Sequence, residues 1–117
     1  MVLNAYGGRC ALSGLPVRSL LTAAHIYPDR HEMGVADVTN GIALSTLHHT
    51  AYDTLLIGIS PDLRIEVSDR IFSETDGPLL EGLKALHGTG MRVPREVDFR
   101  PNRDALAFRF EKFLSAR

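Results

Sequence analysis

Thr22 to Asp53 reads TAAHIYPDRHEMGVADVTNGIALSTLHHTAYD, and the other predicted elements are arranged around these residues. His25 ends a short apolar run, and Asn40 opens a second one after a polar segment. His49 and Asp53 follow, four residues apart. Residues four apart on a helix lie on one face about one turn from each other, so this imidazole and carboxylate could hold one divalent metal ion. His25 would then approach from another element as a proton acceptor.

Two short strands are predicted within this stretch. Leu20–Ile26 is apolar and ends before Pro28, which predicts a strand that delivers His25 at its end. Ile42–Leu44 predicts a second strand, which follows the Asn-Gly turn signal at Asn40. A hairpin-like pair of these strands would bring His25 close to Asn40.

A helix is predicted over Ser45–Thr54, where the apolar period lengthens. His49 and Asp53 share one face of that helix, and His48 is predicted to face solvent. Another face carries the apolar residues that we expect to pack on the core, namely Leu47, Ala51 and Leu55.

Each motif residue also has an ordinary structural explanation. His25 could be a half-buried core histidine. Asn40 could be a simple turn former, or its side-chain amide could tie down the backbone near His25. Without its context, a His/Asp pair such as His49 and Asp53 is more often a surface contact than a pair of metal ligands.

The segments on either side of the first strand are predicted to be loops. Tyr27–Thr39 is polar, and Arg30 and His31 within it could contact a substrate phosphate, although its charges could equally form a solvated rim. Before the strand, Ser13 stands where the second cysteine of a zinc knuckle would be. Cys10 is therefore predicted to be a small buried hydrophobe.

The rest of the chain predicts scaffolding. Leu56–Ser68 has the alternation and the central turn of a β-hairpin, and Pro78–His87 reads as a short amphipathic helix closed by Gly88. Asn102–Arg117 predicts a final helix that packs an apolar face on the core. The predicted fold class is α+β.

The length, charge and composition of the chain limit its possible functions. The 117 residues, 44% of them hydrophobic, predict a single domain over residues 1–117. Thirteen basic and fourteen acidic residues give a formal charge of −1, so any contact with nucleic acid must be local. A single cysteine fits a reducing, cytoplasmic compartment, and no apolar run is long enough to span a membrane. The first residues resemble the tail of an amphipathic helix, so we expect a longer protein of which this chain is the C-terminal part.

Three separated motifs resemble those of the HNH endonucleases, in particular the restriction-type branch. They are RCALSGL, AAHIYP and NGIALSTLHHTAYD, in that order along the chain. The resemblance runs from about Val2 to Ser68 and more loosely beyond. It implies a ββα-metal fold, also called a His-Me finger, with an extra β-hairpin and C-terminal helices here.

The resemblance also implies roles for the motif residues. His25 matches the general base, Asn40 the residue that holds the loop and orients the base, and His49 a metal ligand on the helix. Asp53 falls where many members carry a further ligand. One divalent ion is implied, of Mg²⁺, Mn²⁺, Ni²⁺ or Zn²⁺.

Ala24 departs from the pattern, because many nucleases of this fold carry a metal-binding Asp or His immediately before the base. A methyl group cannot bind a metal, so weak metal affinity is expected unless another residue substitutes. The candidates are Asp29, His31 and His48.

The resemblance implies a metal-dependent endonuclease that hydrolyses phosphodiester bonds in DNA, as the catalytic domain of a restriction or defence enzyme. A separate N-terminal domain would then recognise the DNA, and a homodimer would account for cleavage of both strands. The alternatives are a catalytically inactive binding module of the same fold and a structural α+β domain.

Overall fold

Two antiparallel strands and the helix after them carry the motif residues. The computed structural model describes residues 1–28 and 37–117. Strand β1 is Leu21–His25, strand β2 is Gly41–Ser45 and helix α2 is Thr46–Asp53. The register of the strands sets Leu21 opposite Ser45 and His25 opposite Gly41. Asp29, Arg30 and His31, for which the sequence predicted substrate or metal contacts, lie outside the described residues.

The sequence explains where β2 ends and α2 begins. Ile42, Ala43 and Leu44 are completely buried, as expected of a strand covered on both faces. Ser45 then adopts an extended conformation, and its side chain accepts a hydrogen bond from the backbone N–H of His48. This is the N-cap interaction that satisfies one of the free donors in the first turn of a helix.

The predicted second hairpin and the two predicted later helices are present in the structure, whereas the short helix Asp69–Phe72 was not predicted. A second antiparallel pair consists of strands β3 (Ile57–Ile59) and β4 (Ile65–Val67), and helix α5 (Arg103–Ala116) packs against β3. Short 3-10 turns cover Arg18–Leu20, Val38–Asn40 and Val97–Phe99. The remaining bounds are α1 Val2–Ala5, α3 Asp69–Phe72 and α4 Pro78–Lys84. No helix in the described parts of the chain has the length and apolar character needed to cross a membrane.

The turn signal at Asn40 is confirmed, since Asn40 ends a 3-10 turn and Gly41 is extended with φ −131° at the start of β2. The predicted apolar face of α2 was wrong. The buried face of α2 consists of His48, Ala51 and Tyr52, whereas Leu47 is 41% exposed. The buried side of α2 carries a histidine and a tyrosine. The prediction was wrong because it assigned the buried face from the spacing of apolar residues alone.

Gly58 lets α5 lie directly on β3. A Cβ atom at this position would be 2.5 Å from ring carbons of Phe113, far inside van der Waals contact. Phe113 is itself only 1% exposed, so the ring has little room to move. The glycine is therefore required by the close approach of the helix.

We predict that Gly58→Ala lowers the free energy of unfolding by about 1–3 kcal/mol, the usual cost of overpacking a core. Gly82→Ala is the matched control, since a Cβ there meets no atom within 4 Å and Gly82 lies within α4. The control should gain about 0.5–1 kcal/mol from its better helix propensity. Urea denaturation of both variants measures the difference, and equal stabilities would contradict this packing.

Candidate functional site

His25, His49 and Asp53 line one open cleft of about 580 Å³. His25 is the last residue of β1, and the other two lie on α2. Arg109 and Lys112 contribute to the wall from α5. Three elements that are distant in sequence therefore meet around one solvent-accessible space.

The orientation of His49 is set on both sides of its ring. Its Nε2 lies 3.1 Å from Asp53 Oδ2, and its Nδ1 lies 2.6 Å from Thr22 Oγ1. The Thr22 hydroxyl donates to the carbonyl of Leu44 at 3.4 Å, so its oxygen is left to accept from Nδ1–H. This assignment of the tautomer leaves the Nε2 lone pair directed at Asp53 and available to a metal.

The pair fits two adjacent positions around one divalent ion. Donors that are each ~2.1 Å from a metal and about 90° apart are separated by about 3.0 Å, close to the 3.1 Å between Nε2 of His49 and Oδ2 of Asp53. An imidazole nitrogen and a carboxylate oxygen also suit Mg²⁺, Mn²⁺, Ni²⁺ or Zn²⁺ to different degrees.

No third ligand completes this pair among residues 1–28 and 37–117, where no group of three His, Cys, Asp or Glu side chains could hold a metal ion. Ala24 is two residues from Thr22 and therefore shares its face of β1. At the position for which the resemblance implies a further metal ligand, this chain has the buried methyl group of Ala24.

The prediction that His48 faces solvent was wrong. Its side chain is buried, with Nδ1 at 2.7 Å from Ser45 Oγ and 3.7 Å from the Sγ of Cys10. The ring is committed to these neighbours, so the structure gives no support to His48 as the missing metal ligand. Cys10 has no exposed surface, as predicted, and it fastens the loop before β1 to the start of α2.

The environment of Cys10 perturbs its acidity. Burial raises the pKa of the thiol, but hydrogen bonds with His48 and Ser13 lower it, and the lowering prevails to give a pKa of about 6. The backbone N–H of Ser13 donates to Sγ at 3.4 Å. The same serine that rules out a zinc knuckle therefore helps to stabilise the thiolate.

The side chain of Asn40 holds the backbone immediately after His25. Its Oδ1 accepts from the N–H of Tyr27 at 2.8 Å, and its Nδ2 donates to the carbonyl of Tyr27 at 3.2 Å. The N–H of Ile26 donates to the Asn40 carbonyl at 3.0 Å. Of the two explanations that the sequence left open, a simple turn former does not account for these bonds, since the buried amide extends the pairing of β1 beyond the strand.

Arg109 is a residue of this cleft that the sequence did not predict. Its side chain is 8% exposed, and its guanidinium forms an ion pair with Asp53 at 3.1 Å while donating to carbonyls at the end of β1. The signal was a single arginine within the otherwise apolar stripe of α5, between Leu106 and Phe113. A charge at such a position is buried only when acceptors surround it.

Comparisons with known proteins bear on the same residues. The family model of the HNH endonucleases matches residues 10–60, which include β1, β2 and α2. This match confirms the resemblance to the HNH endonucleases that the three motifs indicated. No sequence among the curated proteins matches the chain.

A solved structure described as a modification dependent TagI restriction endonuclease is similar to this chain, with a TM-score of 0.67 and 18% identity. The alignment covers 95% of this chain and 35% of that one, so the chain spans about a third of its length. At this identity the similarity concerns the fold, and it confirms the predicted α+β class with its ββα unit.

The acidity of Cys10 predicts a pH dependence of stability. Its folded pKa of about 6 lies below the value of ~8.5 expected in the unfolded chain. Between these values the unfolded state binds more protons, so the free energy of unfolding rises with pH. The contribution is complete above ~8.5 and is lost as pH falls through about 6.

Urea denaturation across this pH interval, for the unchanged chain and for Cys10→Ala, measures the effect. The free energy of unfolding should rise less with pH in the variant, because the variant lacks the thiol. Groups that titrate alike in both chains cancel when the two pH dependences are subtracted. Identical pH dependence in the two chains would show that the thiol is not perturbed.

Proposed function

We propose that this chain, whose residues 10–60 match the HNH endonucleases, hydrolyses phosphodiester bonds in DNA with the aid of one divalent metal ion. The observation that carries the proposal is the shared cleft, in which an imidazole from β1 faces the same space as the imidazole and carboxylate of α2. Phosphodiester hydrolysis needs a base for the attacking water and a positive charge beside the phosphate.

His25 acts as the general base in this proposal. A neutral imidazole can accept a proton from the attacking water, and such general-base assistance is worth roughly 10²–10⁴-fold in rate. The side chain is exposed in the cleft, where a water molecule and a phosphate can reach it. Asn40 positions it indirectly, by fixing the backbone of the residues that follow.

His49 and Asp53 hold the metal ion in this proposal. When bound, the ion polarises the phosphate and stabilises the leaving oxygen. With two protein ligands, the remaining coordination positions stay available to water and phosphate. We expect weak affinity because Ala24 supplies no third ligand, and the ion is one of Mg²⁺, Mn²⁺, Ni²⁺ or Zn²⁺.

We further propose that the chain is the catalytic part of a restriction or defence enzyme. The solved structure with the same fold is described as a modification dependent restriction endonuclease, and this chain spans 35% of it. A separate N-terminal domain would select the DNA, a homodimer would cut both strands, and Arg30 and His31 would contact phosphate. The formal charge of −1 supports this division, since the chain has no excess of basic residues for binding DNA by itself.

An inactive module of the same fold is the second candidate, and Ala24 is the observation that favours it. Such a module would keep the cleft but would not hydrolyse DNA. Direct assay of cleavage decides between the two.

Incubation of supercoiled plasmid with the protein and each of the four metals tests the proposal. The unchanged chain should cleave with at least one metal and should stop when a chelator is added. His25→Ala should lower the rate by roughly 10²–10⁴-fold and still bind the metal.

His87→Asn is the matched control, because His87 lies outside the cleft and its Nδ1 accepts from the N–H of Val67. The asparagine can replace that acceptor, so full activity is expected. Cleavage by His25→Ala at the unchanged rate would eliminate the proposed base, and absence of cleavage by the unchanged chain with every metal would favour the inactive module.

A further inference from the structure

Arg109 connects the two parts of the proposed site. Its Nη1 donates to the carbonyls of His25 at 3.1 Å and Ile26 at 2.8 Å, at the end of β1. Its Nη2 donates to the carbonyl of Tyr52 at 3.3 Å and to Oδ1 of Asp53 at 3.1 Å, at the end of α2. One planar group therefore joins the backbone of the proposed base to the side chain of a proposed metal ligand.

The burial of Arg109 shows that these bonds are needed. A guanidinium does not lose its proton in proteins, so a side chain that is 8% exposed must be compensated by acceptors. Three of its four acceptors are backbone carbonyls, and that of Tyr52 lies at the C-terminal end of α2, where the helix dipole favours a cation. The guanidinium carbon also lies 4.3 Å from the centre of the Tyr52 ring, a cation–π contact that fixes the plane of the group.

The two carboxylate oxygens of Asp53 have different partners. Oδ1 accepts from Arg109, and Oδ2 faces Nε2 of His49 at 3.1 Å. A carboxylate that is half exposed and held by one oxygen has lost most of its freedom to rotate. Oδ2 then already points to the metal position before a metal ion binds. Hydrogen bonds from residues that do not touch the metal commonly orient metal ligands in this way.

We propose that Arg109 is a positioning residue, which orients Oδ2 of Asp53 towards the metal and sets its distance from His25. This inference rests on the proposed function. Both Nη atoms are already bonded within the protein, so Arg109 acts through Asp53 and the β1 backbone rather than on DNA.

Arg109→Lys tests the inference because it keeps the positive charge and removes the planar fork. The positive charge at position 109, and with it the repulsion of the metal ion, is therefore kept. Any loss of metal affinity or of kcat then comes from a changed orientation of Asp53. We expect Mn²⁺ binding, measured from the EPR signal of the free ion, to weaken roughly 10–100-fold. The kcat for plasmid cleavage should fall by a similar factor, with the KM for DNA within about twofold.

Arg103→Lys is the matched control on the same helix. Arg103 also donates to one carbonyl and one carboxylate, of Pro61 and Asp62, but its side chain is 69% exposed and lies outside the cleft. Mn²⁺ affinity and kcat should stay within about twofold of the unchanged chain. Circular dichroism establishes that both variants are folded at the assay temperature.

The outcomes separate this inference from the proposed function. If the unchanged chain binds Mn²⁺ and cleaves DNA while Arg109→Lys matches it in both, only the positioning role is overturned. A rise in KM at constant kcat would place Arg109 on DNA and overturn it as well. If the unchanged chain neither binds Mn²⁺ nor cleaves, the proposed function fails and the inference fails with it.

A measurement on the unchanged chain covers the case in which Arg109→Lys does not fold. Addition of Mg²⁺ without DNA should shift the NMR signals of the Arg109 guanidinium and leave those of Arg103 in place. Equal, unshifted signals from both arginines at saturating Mg²⁺ would overturn the positioning role.

Discussion

The antiparallel register of β1 and β2 is the constraint on which the site depends. It places His25 opposite Gly41 at one end and Leu21 opposite Ser45 at the other, where the chain turns into α2. The helix then runs back along the sheet. Its eight residues span roughly 12 Å, and the five residues of β1 span roughly 14 Å between their ends, so both elements finish at the same edge.

Contacts at both ends of α2 are consistent with this return path. Near its start, His49 meets Thr22 of β1, and at its end Arg109 bridges Asp53 to the carbonyl of His25. A slip of one residue in the register would turn Thr22 to the opposite face of the sheet and separate it from His49 on the helix. The packing of β2 opposes such a slip, because it would bring the large side chains of Ile42 and Leu44 to the buried face where the much smaller Ala43 now lies.

The sequence predicted the elements that follow local rules and missed those that depend on distant contacts. The order of strands, the helical spacing of His49 and Asp53, and the later hairpin come from periodicity and turn residues. The buried face of α2 was misjudged because Leu47 is apolar but exposed, whereas His48 is polar but satisfied by Ser45 and Cys10. No local pattern signals that partnership, since Cys10 is 38 residues away.

Arg109 shows the same limit within the candidate site. An arginine in an apolar stripe is ambiguous until its acceptors are known, and those acceptors lie 56 to 84 positions earlier in the chain. The family match also ends at residue 60, before α5. The motif on β1, β2 and α2 can therefore be recognised from its local sequence. Arg109, which links β1 to α2, lies on α5 and cannot be recognised in that way.

Anomalous diffraction from crystals soaked in Mn²⁺ tests the central claim, that one ion binds in the cleft between β1 and α2. We predict a single anomalous peak within about 2.3 Å of both His49 Nε2 and Asp53 Oδ2, on the side of the cleft that His25 faces. Fully occupied Mn²⁺ elsewhere on the chain, with no peak at this pair, would contradict it.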